Sequence, residues 1–251
     1  MKQNDASKGL ALDGYIDTHV HILPGLDDGP ATLQEAVEMV RIAQRNGITK
    51  IIATPHHNEY YHPQVKEIMA SLELLNAGLK KANIEFEVYL GNELRIDPGL
   101  PEKLKSGEVF PMAGSRFILL EFFFEGIPLY SEDVIFRLRV DRWKPILAHA
   151  ERIYDIQRNP ERLKRFIDMG CMVQINSNSL TGELGRASLD TAIYLLELRY
   201  VDIMASDAHA ASNRIPDFTG ALKKAAKIIG KEEALKLVVD NPLRILRDSK
   251  P

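Results

Sequence analysis

YIDTHVH (residues 15–21) is a short apolar, β-branched run that ends in two histidines two positions apart. Residues i and i+2 of a strand point to the same face, so His19 and His21 present two imidazoles to one side. Six runs of the same kind follow: KIIATPHH (50–57), FEVYLGNE (86–93), FILLEF (117–122), KPILAHAE (144–151), MVQINSN (172–178) and VDIMASDAH (201–209). Their near-continuous apolar character suits parallel strands buried on both faces.

Helical patterns fill the intervals. Thr32-Leu33-Gln34-Glu35 forms a capping box, and Leu33, Ala36, Val37, Val40 and Ala43 recur at helical spacing until Gly47 stops the helix. Asn159-Pro160 reads as an N-cap with proline at the first helical position, ahead of a stripe of Leu163, Phe166 and Ile167 that Gly170 closes. Leu189, Ala192, Ile193 and Leu196 make a further stripe. Repeated strand–helix units imply a parallel sheet, and 251 residues match the roughly 250 of one α/β barrel. The expected fold is therefore α/β, a closed or nearly closed TIM-like (β/α) barrel in a single domain over residues 15–251. Residues 1–14 are expected to be a loosely ordered extension.

Bulk properties remove several function classes. The chain is 45% hydrophobic and 27% charged with a net charge of −3, which gives no electrostatic footprint for nucleic acid or a membrane surface. No apolar stretch approaches the roughly 18 residues of a membrane span, and the first residues lack the apolar core of a signal peptide. The expectation is a cytoplasmic protein. Cys171 is the one cysteine, so an internal disulfide is excluded. Six residues beyond it stands Ser177 where a cysteine phosphatase needs arginine, which disfavours thiol catalysis.

The chemistry is concentrated at strand ends. Of seven histidines, six (His19, His21, His56, His57, His149 and His209) fall at or just beyond the C-terminal end of a run, and only His62 lies clearly in a loop. Glu93, Glu121 and Asp207 occupy equivalent places. Active sites of parallel barrels are built on that rim, so residues scattered along the chain converge there. Each residue has a bland alternative. H-x-H alone fits packed histidines as well as ligands, and Glu93 can pair with Arg95. Asp27 and Asp28 can form a turn, and Asp17 can be purely structural. Glu121 inside so apolar a run needs a buried partner. Coincidence at five or six strand ends decides for metal. Imidazole and carboxylate without thiolate suit manganese, iron or zinc. The number of candidates exceeds the three or four protein ligands of one zinc, so two or three ions are expected. Such a site can activate water and clamp phosphoryl oxygens. Arg152 and Arg214 follow ligand candidates closely and suit phosphate binding. Asn176 and Asn178 are rim residues or turn formers.

Taken in order, D-x-H-x-H-I-L-P-G-x-D-D-G (17–29), A-T-P-H-H (53–57), G-N-E (91–93), H-A-E-R (149–152) and S-D-A-H-x4-R (206–214) resemble the polymerase-and-histidinol-phosphatase (PHP) superfamily. Within it they resemble the bacterial manganese-dependent protein-tyrosine phosphatases of capsule and exopolysaccharide synthesis, over about residues 15–246. The resemblance implies a distorted seven-stranded (β/α) barrel, the PHP fold, and a trinuclear site. The ligands it implies are His19, His21, Asp28, His56, Glu93, Glu121, His149, Asp207 and His209, with Asp28 preferred to Asp27 and His56 to His57. His19, His21, Glu93 and Asp207 would hold one ion. Glu93 would bridge to a second held with Glu121 and His149, and Asp28, His56 and His209 would hold the third. Mn²⁺ is the implied metal, with Fe, Zn and Mg as alternatives. The implied catalytic groups are Arg152, Arg214 and a metal-bound hydroxide, acting on phosphotyrosine in the tail of a bacterial tyrosine kinase. A phenol of pKa about 10 leaves with little proton assistance, so a dedicated general acid is not required. The rival expectations are another phosphoesterase of the superfamily (histidinol phosphatase or nuclease-like), an amidohydrolase and a non-catalytic metal-binding protein. Roles for residues 1–14, Asp27, His57, His62 and the aromatic loop NEYYHPQ (58–64) stay open, as does the oligomeric state.

Overall fold

The computed structural model describes residues 14–248, so the expected extension, Gly14 apart, lies outside the described residues. Among these residues the seven apolar runs become nine strands: β1 (Tyr15–Val20), β2 (Ile48–Ala53), β3 (His56–His57), β4 (Glu87–Leu90), β5 (Glu93–Arg95), β6 (Phe117–Glu121), β7 (Lys144–Leu147), β8 (Met172–Asn176) and β9 (Ile203–Ala205). Two runs are divided by their own residues. Thr54-Pro55 parts β2 from β3, since proline has no N–H for the ladder, and Gly91-Asn92 parts β4 from β5. Backbone pairing carries on across the breaks, with Gly91 N–H donating to Ala53 O at 2.8 Å and Glu93 N–H to Pro55 O at 3.2 Å.

All strand pairs are parallel, in the orders β1-β2-β4 and β3-β5-β6-β7-β8-β9. The sheet curls until its ends meet. Val20 makes a parallel bridge to Ala208, and Asp207 N–H donates to His19 O at 2.9 Å. Asp17, fully buried, accepts from Ser206 N–H at 3.1 Å and so ties β1 to the segment after β9. The architecture is α/β with a curled parallel sheet.

Helices cover the outer face: α1 (Leu33–Arg45), α2 (Val65–Lys81), α3 (Leu100–Ser106), α4 (Ser131–Val140), α5 (Tyr154–Arg158), α6 (Arg162–Asp168), α7 (Ser177–Thr181), α8 (Arg186–Glu197), α9 (Thr219–Ile229), α10 (Lys231–Lys236) and α11 (Asp240–Asp248). Thr32 caps α1 as expected, its hydroxyl accepting from Glu35 N–H at 3.3 Å. The expected cap at Asn159-Pro160 is displaced: these residues form a turn after α5, and α6 starts at Arg162 with Glu161 as its cap. Asn159 N–H is bonded to Asp155 O of the preceding helix, which holds the chain in that turn.

Neighbouring strand residues divide between two apolar layers. Ile51, Leu120, Leu147 and Met204 face the helices in the main core. Their neighbours Ile52, Leu119, Ile146 and Ile203 form a plug inside the curl with Met112, Phe117 and Ile245. Each such aliphatic side chain stabilises the fold by about 1.5–3 kcal/mol. The plug gives the polar strand ends above it a dry floor.

α11 fastens the opposite end of the sheet. Asp248 accepts from Arg116 N–H at 3.0 Å, pairs with the Arg116 guanidinium at 3.0 Å and meets Lys144 Nζ at 2.7 Å. Hydrogen bonding from Arg116 holds its carboxyl well below the usual range. A depressed folded pKa stabilises above the unfolded value of about 3.9, and that contribution is lost as pH falls through the folded value. Asp248→Asn is expected to lower Tm by about 2–4 °C at pH 7, for a loss of about 1 kcal/mol. The gap from wild type should stay constant down to about pH 4 and narrow below it, as followed by thermal melts across pH.

Candidate metal centre

The curl brings the strand ends onto one rim. His19 lies in β1 and His21 just beyond it, His56 in β3, Glu93 at the head of β5 and Glu121 at the end of β6. His149 follows β7, and Asp207 and His209 follow β9. Asp28 arrives on the loop after β1, where Gly29 is required because a Cβ there would sit 2.6 Å from His21 O. Eight of the nine side chains are buried or nearly so, while Asp28 is 44% exposed and marks the open side.

Four overlapping groups have ligand atoms close enough for one ion each: His21, Asp28, His56 and His209; His19, His21 and Asp207; His19, Glu93 and His149; His56, Glu93 and Glu121. Together they contain the nine residues drawn from the sequence motifs and no others. Asp27, His57 and His62 stand outside them. His57 instead lies 3.7 Å from Glu108.

Glu93 is the hub. Its Oε1 is 2.7 Å from His149 Nε2, and its Oε2 lies 3.2 Å from His19 Nε2, 3.3 Å from His21 Nε2 and 2.9 Å from His56 Nδ1. Despite three nitrogens at that range, buried Oε2 takes no hydrogen bond, and neither does His56 Nδ1. His19 and His21 also turn their Nε2 atoms towards each other at 3.2 Å. Donors and acceptors that approach without aligning suit a cation shared between them. The donor set therefore fits divalent ions. Glu93 does not pair with Arg95; that guanidinium donates to Glu121 Oε2 at 2.9 Å.

One orienting residue, Gln174, was hidden in the sequence, and it acts with Asn176 and Asp27. Gln174 Oε1 lies 3.1 Å from His19 Nδ1 and accepts from His149 N–H at 3.2 Å, so one amide aligns two candidate ligands. Its amide nitrogen donates to Asn176 Oδ1 at 2.8 Å, and Asn176 donates to Asp207 Oδ2 at 2.7 Å. Asp27 faces His21 Nδ1 at 2.7 Å while accepting from Gly29 N–H and His56 N–H, both at 3.0 Å. A proton on Nδ1 of each ring leaves Nε2 free to bind a cation. Of the signals available, only the i, i+2 alternation along MVQINSN puts Gln174 beside Asn176 on one strand face.

Electrostatics follow from burial and crowding. Burial opposes a charged His21, yet Asp27 lifts its pKa to about 9, and Glu93 lifts His56 to about 9 in the same way. Burial and the neighbouring Glu93 charge push Glu121 up to about 7, against Arg95. Burial also works against ionised Asp207, but His19 and Arg214 hold it far below the usual range. Protons and cations compete for these atoms.

Arg152 and Arg214 reach the same oxygen, Asp207 Oδ2, at 3.2 and 2.8 Å. Their side chains are 22% and 32% exposed, so both are partly open to solvent beside the cluster. His149, Asp207 and Arg214 all have left-handed backbones, with φ of 32°, 53° and 48°. Such strain, of order 1 kcal/mol or more per residue, collects where geometry serves a site. Asp27→Ala removes the brace on His21 and is expected to weaken divalent-metal binding by about 10–100-fold, as titration calorimetry measures, with little change in Tm.

Comparison with known proteins places this geometry. A family model described as capsular polysaccharide synthesis, CpsB/CapC, matches residues 15–247. The tyrosine-protein phosphatase YwqE of Bacillus subtilis (strain 168) is 35% identical over 218 residues, 86% of each chain. The tyrosine-protein phosphatase CpsB of Streptococcus pneumoniae is 30% identical over 240 residues, 93% of this chain and 98% of its own. A crystal structure from work on YwqE and CpsB, metal-dependent tyrosine phosphatases, superposes with a TM-score of 0.89 at 34% identity, covering 94% of this chain and 95% of that one. The chain belongs to the CpsB/CapC family of capsular polysaccharide synthesis.

Proposed function

We propose that this protein is a metal-dependent protein-tyrosine phosphatase, a phosphoric monoester hydrolase that serves capsule or exopolysaccharide synthesis. The observation that carries the reading is the convergence of nine imidazole and carboxylate groups beside two guanidinium groups that share one carboxylate oxygen. The family relation supplies the substrate: the relatives are tyrosine phosphatases. Its implied form here is phosphotyrosine in the tail of a bacterial tyrosine kinase. No helix among the described residues is long and apolar enough to cross a membrane. We read the chain as a cytoplasmic enzyme, residues 15–251 as one barrel of seven strand units and residues 1–14 as an extension.

The proposed ligands are His19, His21, Glu93 and Asp207 for one ion, Glu93, Glu121 and His149 for a second, and Asp28, His56 and His209 for a third. Glu93 suits the bridging role because its two oxygens face different imidazoles. Mn²⁺ is the proposed occupant from the family resemblance, with Fe, Zn and Mg as alternatives, since imidazole and carboxylate donors suit manganese, iron and zinc alike. Bound divalent ions provide a water nucleophile at neutral pH and neutralise phosphoryl oxygens. The chain's own residues do the rest. Arg152 and Arg214 donate to the phosphoryl oxygens and stabilise their transition-state charge. Asp207 holds both guanidinium groups at the required spacing. The apolar plug below keeps water from the far side of the cluster. Phenolate departs without a dedicated acid because its conjugate phenol has a pKa of about 10.

Hydrolysis of a phosphotyrosine peptide is expected to stop on chelation and return with Mn²⁺; no turnover of any phosphoester by metal-loaded protein would refute the reading. Burial pushes the Cys171 thiol up to about 12, so iodoacetamide should leave activity intact and Cys171→Ala should stay active. Arg214→Ala is expected to lower kcat/KM by about 10²–10³-fold with metal content and circular dichroism unchanged.

A further inference from the structure

Glu121 is followed by three phenylalanines that meet three different fates. Phe122 is 1% exposed and packs on Phe166 in the core at a centroid distance of 5.3 Å. Phe123 carries the Arg95 guanidinium over its ring at 4.6 Å. Phe124 is 39% exposed, although its ring sits among the charged groups of the site. The Arg152 guanidinium carbon lies 4.4 Å from its centroid, and the His149 ring is 5.3 Å away, tilted by 43°.

The ring is also held in place from behind. Phe124 O accepts from Tyr154 N–H at 2.8 Å, Gly126 N–H returns to Phe123 O at 3.2 Å, and Ile127 N–H donates to Asp155 Oδ2 at 3.0 Å. A Cβ at Gly126 would come within 3.0 Å of that carboxylate, so the turn is drawn tight against α5. An aromatic surface fixed before the substrate arrives loses little entropy on binding. Tyr154, whose N–H makes that bond to Phe124 O, is itself 55% exposed.

We infer that Phe124 is the surface on which the substrate's phenyl ring rests, and that it sets the preference for an aryl over an alkyl phosphate ester. The inference rests on the phosphatase reading above. In an aryl phosphate a single ester oxygen joins phosphorus to the ring. A phosphoryl group held by Arg152 and Arg214 therefore puts the ring within reach of whatever covers Arg152, and Phe124 covers it. Offset or edge-on aromatic pairs are favoured beyond their buried area. Phosphoserine offers one methylene at the same place and gains no such contact. Another ring at the cluster, Tyr61, stacks on His56 at 5.9 Å, on the β3 side.

The test is kcat/KM for phosphotyrosine and phosphoserine peptides of otherwise identical sequence, in wild type, Phe124→Ala, Phe124→Leu and Phe124→Trp. Metal content and inhibition by orthophosphate are measured beside it. The phosphotyrosine-to-phosphoserine ratio is expected to fall about tenfold in the Ala and Leu variants and to return to within about threefold of wild type with Trp. Orthophosphate inhibition and metal content should not move. An unchanged ratio in the Leu variant, which keeps bulk against His149 and loses the ring, would overturn the inference. An equal loss on both peptides accompanied by lost metal would overturn it too, by making Phe124 structural. Wild-type protein that hydrolyses another ester but not phosphotyrosine would instead remove the reading on which it rests.

Discussion

Glu93 and Asp207 are carboxylates about 2% exposed or less, at the rim of a curled, apolar sheet. An uncompensated charge there costs several kcal/mol even after relaxation. Most of what surrounds them answers that cost: imidazoles on both oxygens of Glu93, and guanidinium and amide groups on Asp207. The compensation is deliberately incomplete in one sense. Glu93 Oε2 is crowded by nitrogens and hydrogen-bonded by none. The protein stabilises the charges enough to fold around them and leaves their lone pairs for cations.

The curled sheet is the means of assembling so much charge without long-range chain contortion. Parallel strands deliver their ends to one rim, so each ligand needs only a place near the end of its own run. The breaks at Thr54-Pro55 and Gly91-Asn92 fall just before His56 and Glu93 and let those residues step to the rim while their ladders continue. The same interruptions explain why seven apolar runs register as nine strands. Below the rim, Ile52, Leu119, Ile146 and Ile203 exclude water from the interior, which strengthens the electrostatics above them.

Much of the site was readable because its chemistry sits at repeated positions. Histidines and carboxylates closing apolar runs are conspicuous, and all nine residues inferred from motif order fall within the four clusters. The choice of Asp28 over Asp27 came from the family pattern alone. Its physical basis needs the loop: Asp28 faces His56 and His209, whereas Asp27 turns back to brace His21. Gln174 was unreadable because its two partners lie on β1 and after β7, distant in sequence and adjacent only after the sheet curls. The start of α6 was misplaced because an ideal cap signal lost to a hydrogen bond from the helix before it. Phe124 was lost inside an apolar run, where nothing local distinguishes a core ring from an open one.

Asp207 Oδ2 receives Arg152, Arg214 and Asn176 at once. These four residues are consequently one energetic unit as well as a geometric one. Replacing Asp207 would strand two cations, and replacing one arginine would shift the charge felt by the other, so their effects cannot add. A lineage that abandons this chemistry would have to change the four positions together or pass through an intermediate with an unpaired charge at its centre.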